Sequence, residues 1–322
     1  MTRCASIDLG TNTVRLLIAS SGPDGFEPLL VKRRITRLGG GFTRETGISP
    51  EARQRTIAAL EEFSRDLALR EVTRLRAVAT SAVRDAVNGP EFRDEVLKTS
   101  GIALEVIGGE EEGLLTLRGI RAGLGDPVGM LLAFDVGGGS TEYTLADSGT
   151  PRFTLSLPLG VVRLTEGKQE LAAMTDKVER ELAVLVAEMA RAGVTVDPSC
   201  FLLAGTAGTA TTLAAIDLGM TDYDYRRVNG HWLARDTVAA LYEKLLGLMP
   251  EERLAIPGME KGREDLIIAG TLVTLKTLDR FGFSGMKVSD FGLLEGVLLS
   301  ISDYENLNRR YKKVDTLVTV RV

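Results

Sequence analysis

The stretch Asp135–Glu142, DVGGGSTE, decides how this chain reads. It follows the apolar, strand-like run Met130 to Phe134, so a carboxylate stands where a strand ends and three glycines begin. Glycine has no Cβ, which lets successive backbone N–H groups close around phosphate oxygens while a carboxylate opposite them holds a hard cation. The run lacks the Gly-Lys-Ser/Thr ending of a Walker loop and the Gly-x-Gly-x-x-Gly spacing of a dinucleotide fingerprint. Alone, it reads equally well as a plain strand-to-glycine turn.

A second copy of the signal lies near the N-terminus. The apolar run Cys4 to Leu9 carries Asp8, then come Gly10, Thr11, Asn12 and Thr13, and then the apolar Val14 to Ala19. Both sites read strand, Asp, x, Gly, small polar residues, strand. Two β-hairpins clasping one polyphosphate would have this form, with amides and hydroxyls turned to the anion and Asp8 and Asp135 sharing a cation through waters. The separation of the copies fits two domains that begin with the same element, against the competing reading of two unrelated turns.

Size and charge narrow the function classes. A chain of 322 residues with 44% hydrophobic and 26% charged side chains buries a large core and most naturally forms two domains. A formal charge of −5 gives no positive footprint for nucleic acid, so an anionic substrate must be gripped by local groups and a metal. Cys4 and Cys200 lie in apolar surroundings without ligand-like partners, and the N-terminus has no signal-like apolar run; a reduced, cytoplasmic setting is the expectation. No run reaches membrane-spanning length.

Periodicity predicts strands at Cys4–Leu9, Val14–Ser20 and Pro28–Ile35, with a turn at 23–25. A helix capped at Ser49-Pro50 follows, then strand Leu75–Thr80, a helical turn at Phe92–Leu97, strand Ala103–Ile107 and a helix opening at Gly108. After a linker at Gly123–Pro127, strands are expected at Met130–Phe134, Glu142–Ala146, Phe153–Pro158 and Cys200–Ala204. Helices are expected at Asp176–Ala192, Ala210–Leu218, Arg235–Leu246, Gly262–Phe281 and Gly292–Ser302, with a short strand at Val288. The alternating tail Val314–Val322 could add an edge strand.

Several side chains are suited to phosphate chemistry. Glu110, Glu111 and Glu112 open a helix, where carboxylates either complement the dipole or supply a water-activating base. The lone histidine, His231, sits in a polar loop and is expected to be a surface or packing residue. Arg84 reads either as a bidentate phosphate donor or as a surface arginine at a helix start. Glu142, across the glycine turn from Asp135, can face the same cation. Thr206, Ala207, Gly208 and Thr209 form a third glycine and hydroxyl loop, an anion loop or a helix cap. Lys261 and Arg263 offer a small basic patch that a long anionic chain could touch, with solvated surface charge the preferred reading.

With these residues in view, the chain resembles the exopolyphosphatase/guanosine pentaphosphate phosphatase family of the actin, Hsp70 and sugar-kinase superfamily. The similarity is colinear through IDLGTNTVRLLI (Ile7–Ile18), ATSAVRDA (Ala79–Ala86), GGEEEG (Gly108–Gly113), FDVGGGSTE (Phe134–Glu142), LPLGVVRLTE (Leu157–Glu166), AGTAGTATTLAA (Ala204–Ala215) and VSDFGLLEG (Val288–Gly296). It implies an α/β fold of two actin-like (ribonuclease H-like) domains, each with a mixed five-stranded sheet, around an interdomain cleft. Domain I is then 1–124 plus about 303–322, domain II is 125–289, and the closing helix 290–302 packs back toward domain I.

By motif match the resemblance implies Glu112 as catalytic glutamate, with Glu111 adjacent because the extra Glu110 lets the register slip by one. Arg84 becomes a phosphate contact, and Asp135, Glu142 and Asp8 the acidic holders of Mg2+, with Mn2+ as the alternative. Gly10, Thr11, Asn12, Thr13, Gly137, Gly138, Gly139, Ser140, Gly208 and Thr209 become the substrate-binding set. The implied activity is release of the terminal phosphate of inorganic polyphosphate, with guanosine pentaphosphate as alternative substrate and a kinase or actin-like nucleotide-binding protein as more distant alternatives; a homodimer is left open. Two departures stand out: Gly113 replaces the family's usual alanine, and the chain ends before the helical extension of longer members.

Overall fold

The computed structural model describes residues 2–22, 25–43, 45–125, 129–167 and 170–301. The turn expected at Pro23 and Asp24, the far half of the expected linker up to Pro127, and the tail beyond 301, including the expected edge strand and the 303–322 part of domain I, lie outside the described residues.

The first lobe runs β1 (Thr2–Leu9), β2 (Thr13–Gly22), β3 (Gly25–Ile35), α1 (Pro50–Leu69), β4 (Arg74–Ala79), α2 (Ser81–Arg84), α3 (Gly89–Ser100), β5 (Leu104–Val106) and α4 (Gly109–Leu124). Its sheet has the order β3-β2-β1-β4-β5, antiparallel through the first three strands and parallel from β1 to β5. Helix α1 starts where expected: the Ser49 hydroxyl accepts from the Ala52 N–H and Pro50 fills the first turn, where a missing N–H costs nothing. The turn expected at Phe92–Leu97 is a full helix, α3, because Phe92 and Val96 supply its buried stripe.

The second lobe runs β6 (Met130–Val136), β7 (Thr141–Asp147), β8 (Thr150–Leu157), α5 (Val161–Gly167), α6 (Leu171–Arg191), β9 (Phe201–Thr206), α7 (Ala207–Asp217), α8 (Tyr225–Val228), β10 (Trp232–Ala234), α9 (Arg235–Leu246), α10 (Pro250–Arg253), α11 (Ile267–Phe281) and β11 (Gly285–Val288); residues 293–301 form a last helix, α12. Its order, β10-β11-β9-β6-β7-β8, repeats the hairpin-plus-parallel plan of the first lobe. It has six strands rather than the expected five: the three-residue β10 pairs antiparallel with β11, too short to show a period of two in the sequence. Helix α11 also begins later than expected, since residues 260–266 turn instead of continuing the helical period.

Two helices cross between the lobes. Although α4 follows β5, its Leu117 and Ile120 pack on Leu131, Ala133 and Ala204 of the second sheet. Helix α12 returns to the first sheet, where Leu294, Leu298 and Ile301 cover Cys4, Leu17 and Ala19. Where α4 and α12 meet, a Cβ on Gly119 would stand 1.9 Å from the Gly292 carbonyl oxygen, and one on Gly296 would stand 1.8 Å from that of Leu115. Glycine at these positions lets the two backbones touch. The Gly113 departure has a similar cause: a Cβ there would stand 2.6 Å from Thr154 Cγ2 and 2.7 Å from Thr144 Oγ1, so the bare helix face sits directly on β7 and β8. Among the described residues no helix is long and apolar enough to cross a membrane.

Candidate active site

Strands β1 and β6 are the central strands of their sheets, and each ends in an aspartate followed one residue later by a glycine turn. The register makes Asp8 the cross-strand partner of Arg15, and Asp135 that of Glu142. Each turn closes itself first: the Gly10 N–H donates to the Thr13 carbonyl at 2.9 Å, and the Gly137 N–H to that of Ser140 at 3.0 Å. These two amides are therefore engaged within the turns, and the cleft-lining positions beyond them are Thr11, Asn12, Thr13, Gly138, Gly139 and Ser140. The N–H groups of Val161 and Val162, at the start of α5, donate to the Gly137 and Gly138 carbonyls at 3.0 and 2.9 Å and pin the second loop.

The two loops meet face to face. A Cβ on Gly138 would stand 2.9 Å from Thr11 Cβ and 3.0 Å from the Asn12 nitrogen, and one on Gly139 would stand 2.3 Å from Ser81 Oγ. Thr11 and Ser81 share a hydroxyl hydrogen bond of 2.9 Å. The cleft behind this contact, of about 320 Å³, is lined by both loops together with Asp8, Asp135 and Glu112. Asn12 is buried in its wall, and neither its side-chain oxygen nor its nitrogen has a partner in the protein. A buried amide left open at a cleft awaits a ligand or water.

Glu112 reaches the cleft because α4 begins at Gly109, and the first turn turns its third carboxylate inward. Glu111 points the other way, is about half exposed and bonds Arg76 at 2.6 Å. Burial pushes the Glu112 carboxyl well above the usual range, the negative charges of Glu142 and Asp135 add to it, and Arg84 opposes it. Arg84 lies behind Glu112 rather than in the cleft wall: Nη1 donates to the Ile107 carbonyl at 3.1 Å and stands 3.5 Å from Glu112 Oε2. Burial moves Asp135 up to about 6, with Asp8 adding repulsion and Arg15 opposing. Burial likewise moves Glu142 up to about 7, with Asp135 adding to the shift, while the Ser156 hydroxyl donates to Oε1 at 2.6 Å.

Hard oxygen donors at Asp8 and Asp135, crowded enough to raise a carboxyl pKa, suit a Mg2+ ion. Among the described residues, however, no three acidic, histidine or cysteine side chains converge as a ligand group, so the expected trio of Asp8, Asp135 and Glu142 does not form one. Glu142 sits behind Asp135, and Asp8 Oδ2 also accepts from Arg15 at 2.7 Å. This donor set fits an ion that keeps most of its shell as water and phosphate oxygen, which is the habit of Mg2+.

The third glycine loop divides. Ala207, in the left-handed region at φ +65°, and Gly208 line the cleft, whereas Thr209 turns into the core against Gly270 of α11. Arg263, expected at the surface, is buried in the cleft wall with its guanidinium laid against Gly208, while Lys261 is exposed. Arg15, Arg33, Tyr223, Asp290 and Glu295 also line the cleft, and sequence reasoning assigned none of them a role. Arg15 was within reach: the hairpin register opposes it to Asp8. Arg33 and Tyr223 arrive by long-range packing, without a local signal. His231 bonds Asp217 at 2.7 Å. Of the cysteines, Cys4 is buried but Cys200 is exposed, contrary to expectation.

Comparison with known proteins identifies the fold and the family. The family model described as the Ppx/GppA phosphatase family matches residues 17–305. Exopolyphosphatase 2 of Mycobacterium tuberculosis is 33% identical over 327 residues, covering 94% of this chain and 99% of that protein. Exopolyphosphatase 1 of Mycobacterium bovis is 28% identical, covering 94% and 89%. The crystal structure of the Aquifex aeolicus Ppx/GppA family member superimposes with a TM-score of 0.79 at 33% identity, over 95% of this chain and 99% of that one. An exopolyphosphatase from Cytophaga hutchinsonii gives 0.84 at 27% identity, over 94% and 98%. With the two-lobed fold, the paired glycine loops and a family match across most of its length, the chain belongs to the Ppx/GppA phosphatase family.

Proposed function

We propose that this phosphoanhydride hydrolase releases the terminal phosphate of inorganic polyphosphate with Mg2+ as its ion and Glu112 as the water-activating base. The observation that carries the reading is Glu112 itself, a buried carboxylate of raised pKa in the wall of the cleft where the two glycine loops meet. A carboxylate made more basic by burial draws a proton from water more readily, and general-base help of this kind is worth about 10²–10⁴-fold. The names of the exopolyphosphatase relatives support the choice of substrate.

In this reading Asp8 and Asp135 hold the ion, with Glu142 fixing Asp135 from the neighbouring strand. Bound there, Mg2+ would supply charge neutralisation on the phosphate oxygens. The chain's own groups do the rest. Loop amides and hydroxyls from Thr11 to Thr13 and Gly138 to Ser140, with the open Asn12 amide, orient the terminal phosphate; Arg84 holds Glu112 in place. Arg15, Arg33 and Arg263 face the remaining chain. Phosphate release from polyphosphates of several lengths, guanosine pentaphosphate and ATP, run in ¹⁸O-water with and without Mg2+, tests this. Label in the released phosphate, with polyphosphate preferred, supports it; transfer to an acceptor or an ATP preference overturns it.

A further inference from the structure

Arg33, on β3 of the first lobe, and Arg263, in the segment before α11 of the second, are held by a single carboxylate, Glu260. Glu260 Oε1 pairs with Arg33 Nη2, and Oε2 accepts from Arg263 Nε at 2.5 Å. Both arginines line the cleft. Arg15 lines the same cleft. Among the described residues three cations thus line the cleft, and their counter-ions differ in kind. Asp8 is fixed to Arg15 by the hairpin register, whereas Glu260 sits in an irregular segment and grips two arginines from opposite lobes.

We propose that Glu260 is a built-in competitor for the anionic substrate, occupying the Arg33–Arg263 pair when the cleft is empty and displaced when phosphates enter. The inference rests on the polyphosphate reading of the cleft. Arg263 is packed in place, its guanidinium laid against Gly208 and its side chain only 11% exposed. Arg33, with its side chain 43% exposed, is the group free to turn. Phosphate oxygens accept from guanidinium N–H groups as carboxylate oxygens do, so substrate and Glu260 compete for the same two arginines. Glu260 therefore sets substrate affinity without touching the reacting phosphate.

The test is equilibrium binding of inorganic tripolyphosphate, by calorimetry, to Glu112→Gln protein with and without Glu260→Gln; the shared change suppresses turnover. Removing the competing charge should tighten binding about fivefold or more and steepen its loss with added salt. Glu260→Asp, which keeps the charge on a shorter arm, should fall between and guards against misfolding of the glutamine variant. A purely structural Glu260 would give the opposite: unchanged or weaker binding in both variants. If the parent protein itself does not bind tripolyphosphate, the polyphosphate reading fails and this inference falls with it; if the parent binds and the variants bind no tighter, the Glu260 inference alone is overturned.

Discussion

Asp135 and Glu142 oppose each other across β6 and β7 at the register where the first lobe opposes Asp8 to Arg15. The repeated fold thus places an ion pair on one side of the cleft and a pair of carboxylates on the other. Burying two like charges together is unfavourable, and such sites are retained for function rather than stability.

That imbalance predicts a pH-dependent stability effect. A carboxyl whose pKa is raised on folding contributes stability that is fully present below its unfolded value and is lost as pH rises through the folded one. The windows are 3.8 to about 6 for Asp135 and 4.5 to about 7 for Glu142. In a chelator, Asp135→Asn and Glu142→Gln should each stabilise the fold at pH 8 by on the order of 3 kcal/mol, read as a higher melting temperature, and lose most of that gain near pH 4. Calorimetric scans at both pH values decide it; no gain at pH 8 contradicts burial as the cause of the shifts.

Glu111 and Glu112 are adjacent but have different surroundings. Glu111→Gln removes a half-exposed carboxylate from Arg76, which keeps its pair with Glu105, so it should cost less than about 1 kcal/mol and leave phosphate release within about twofold of wild type. A large loss of activity in this variant would move the base assignment by one residue.

The meeting of the loops is sterically exact enough to test with one methyl group. In Gly139→Ala the new Cβ would stand 2.3 Å from Ser81 Oγ and 2.6 Å from Thr11 Oγ1, forcing the loops apart. The rate, kcat/KM, should fall at least about tenfold, since misplacement of about 1 Å can cost about 10²-fold. Activity at the wild-type level would show that the two loops do not act as one site.

The crossing of α4 and α12 is a matter of stability. Gly296→Ala sets a Cβ 1.8 Å from the Leu115 carbonyl oxygen, a backbone atom that cannot turn aside. Overpacking of this kind costs about 1–3 kcal/mol, read as a lower melting temperature or denaturant midpoint. An unchanged midpoint would mean the helices separate readily.

How far the sequence led depended on the range of the interactions. The two Asp-x-Gly hairpins and the cap at Ser49 rest on local signals, and they are found where those signals place them. The inward turn of Glu112 follows from its place in the first turn of α4. Only the fold brings Arg263 onto Gly208, and nothing local distinguishes a cleft hydroxyl from one packed on Gly270, as that of Thr209 is. The resemblance implies a phosphate contact for Arg84, whose observed partners are Glu112, Asp85 and the Ile107 carbonyl. Strand β10, at three residues, has no readable period.

The proposed hydrolysis turns on whether the Glu112 carboxylate drives attack by water. Phosphate release from inorganic polyphosphate in Mg2+ by wild-type and Glu112→Gln protein, both shown to be folded, measures this directly. A fall of about 10²–10⁴-fold with tripolyphosphate binding retained is the predicted result; release at the wild-type rate would contradict it.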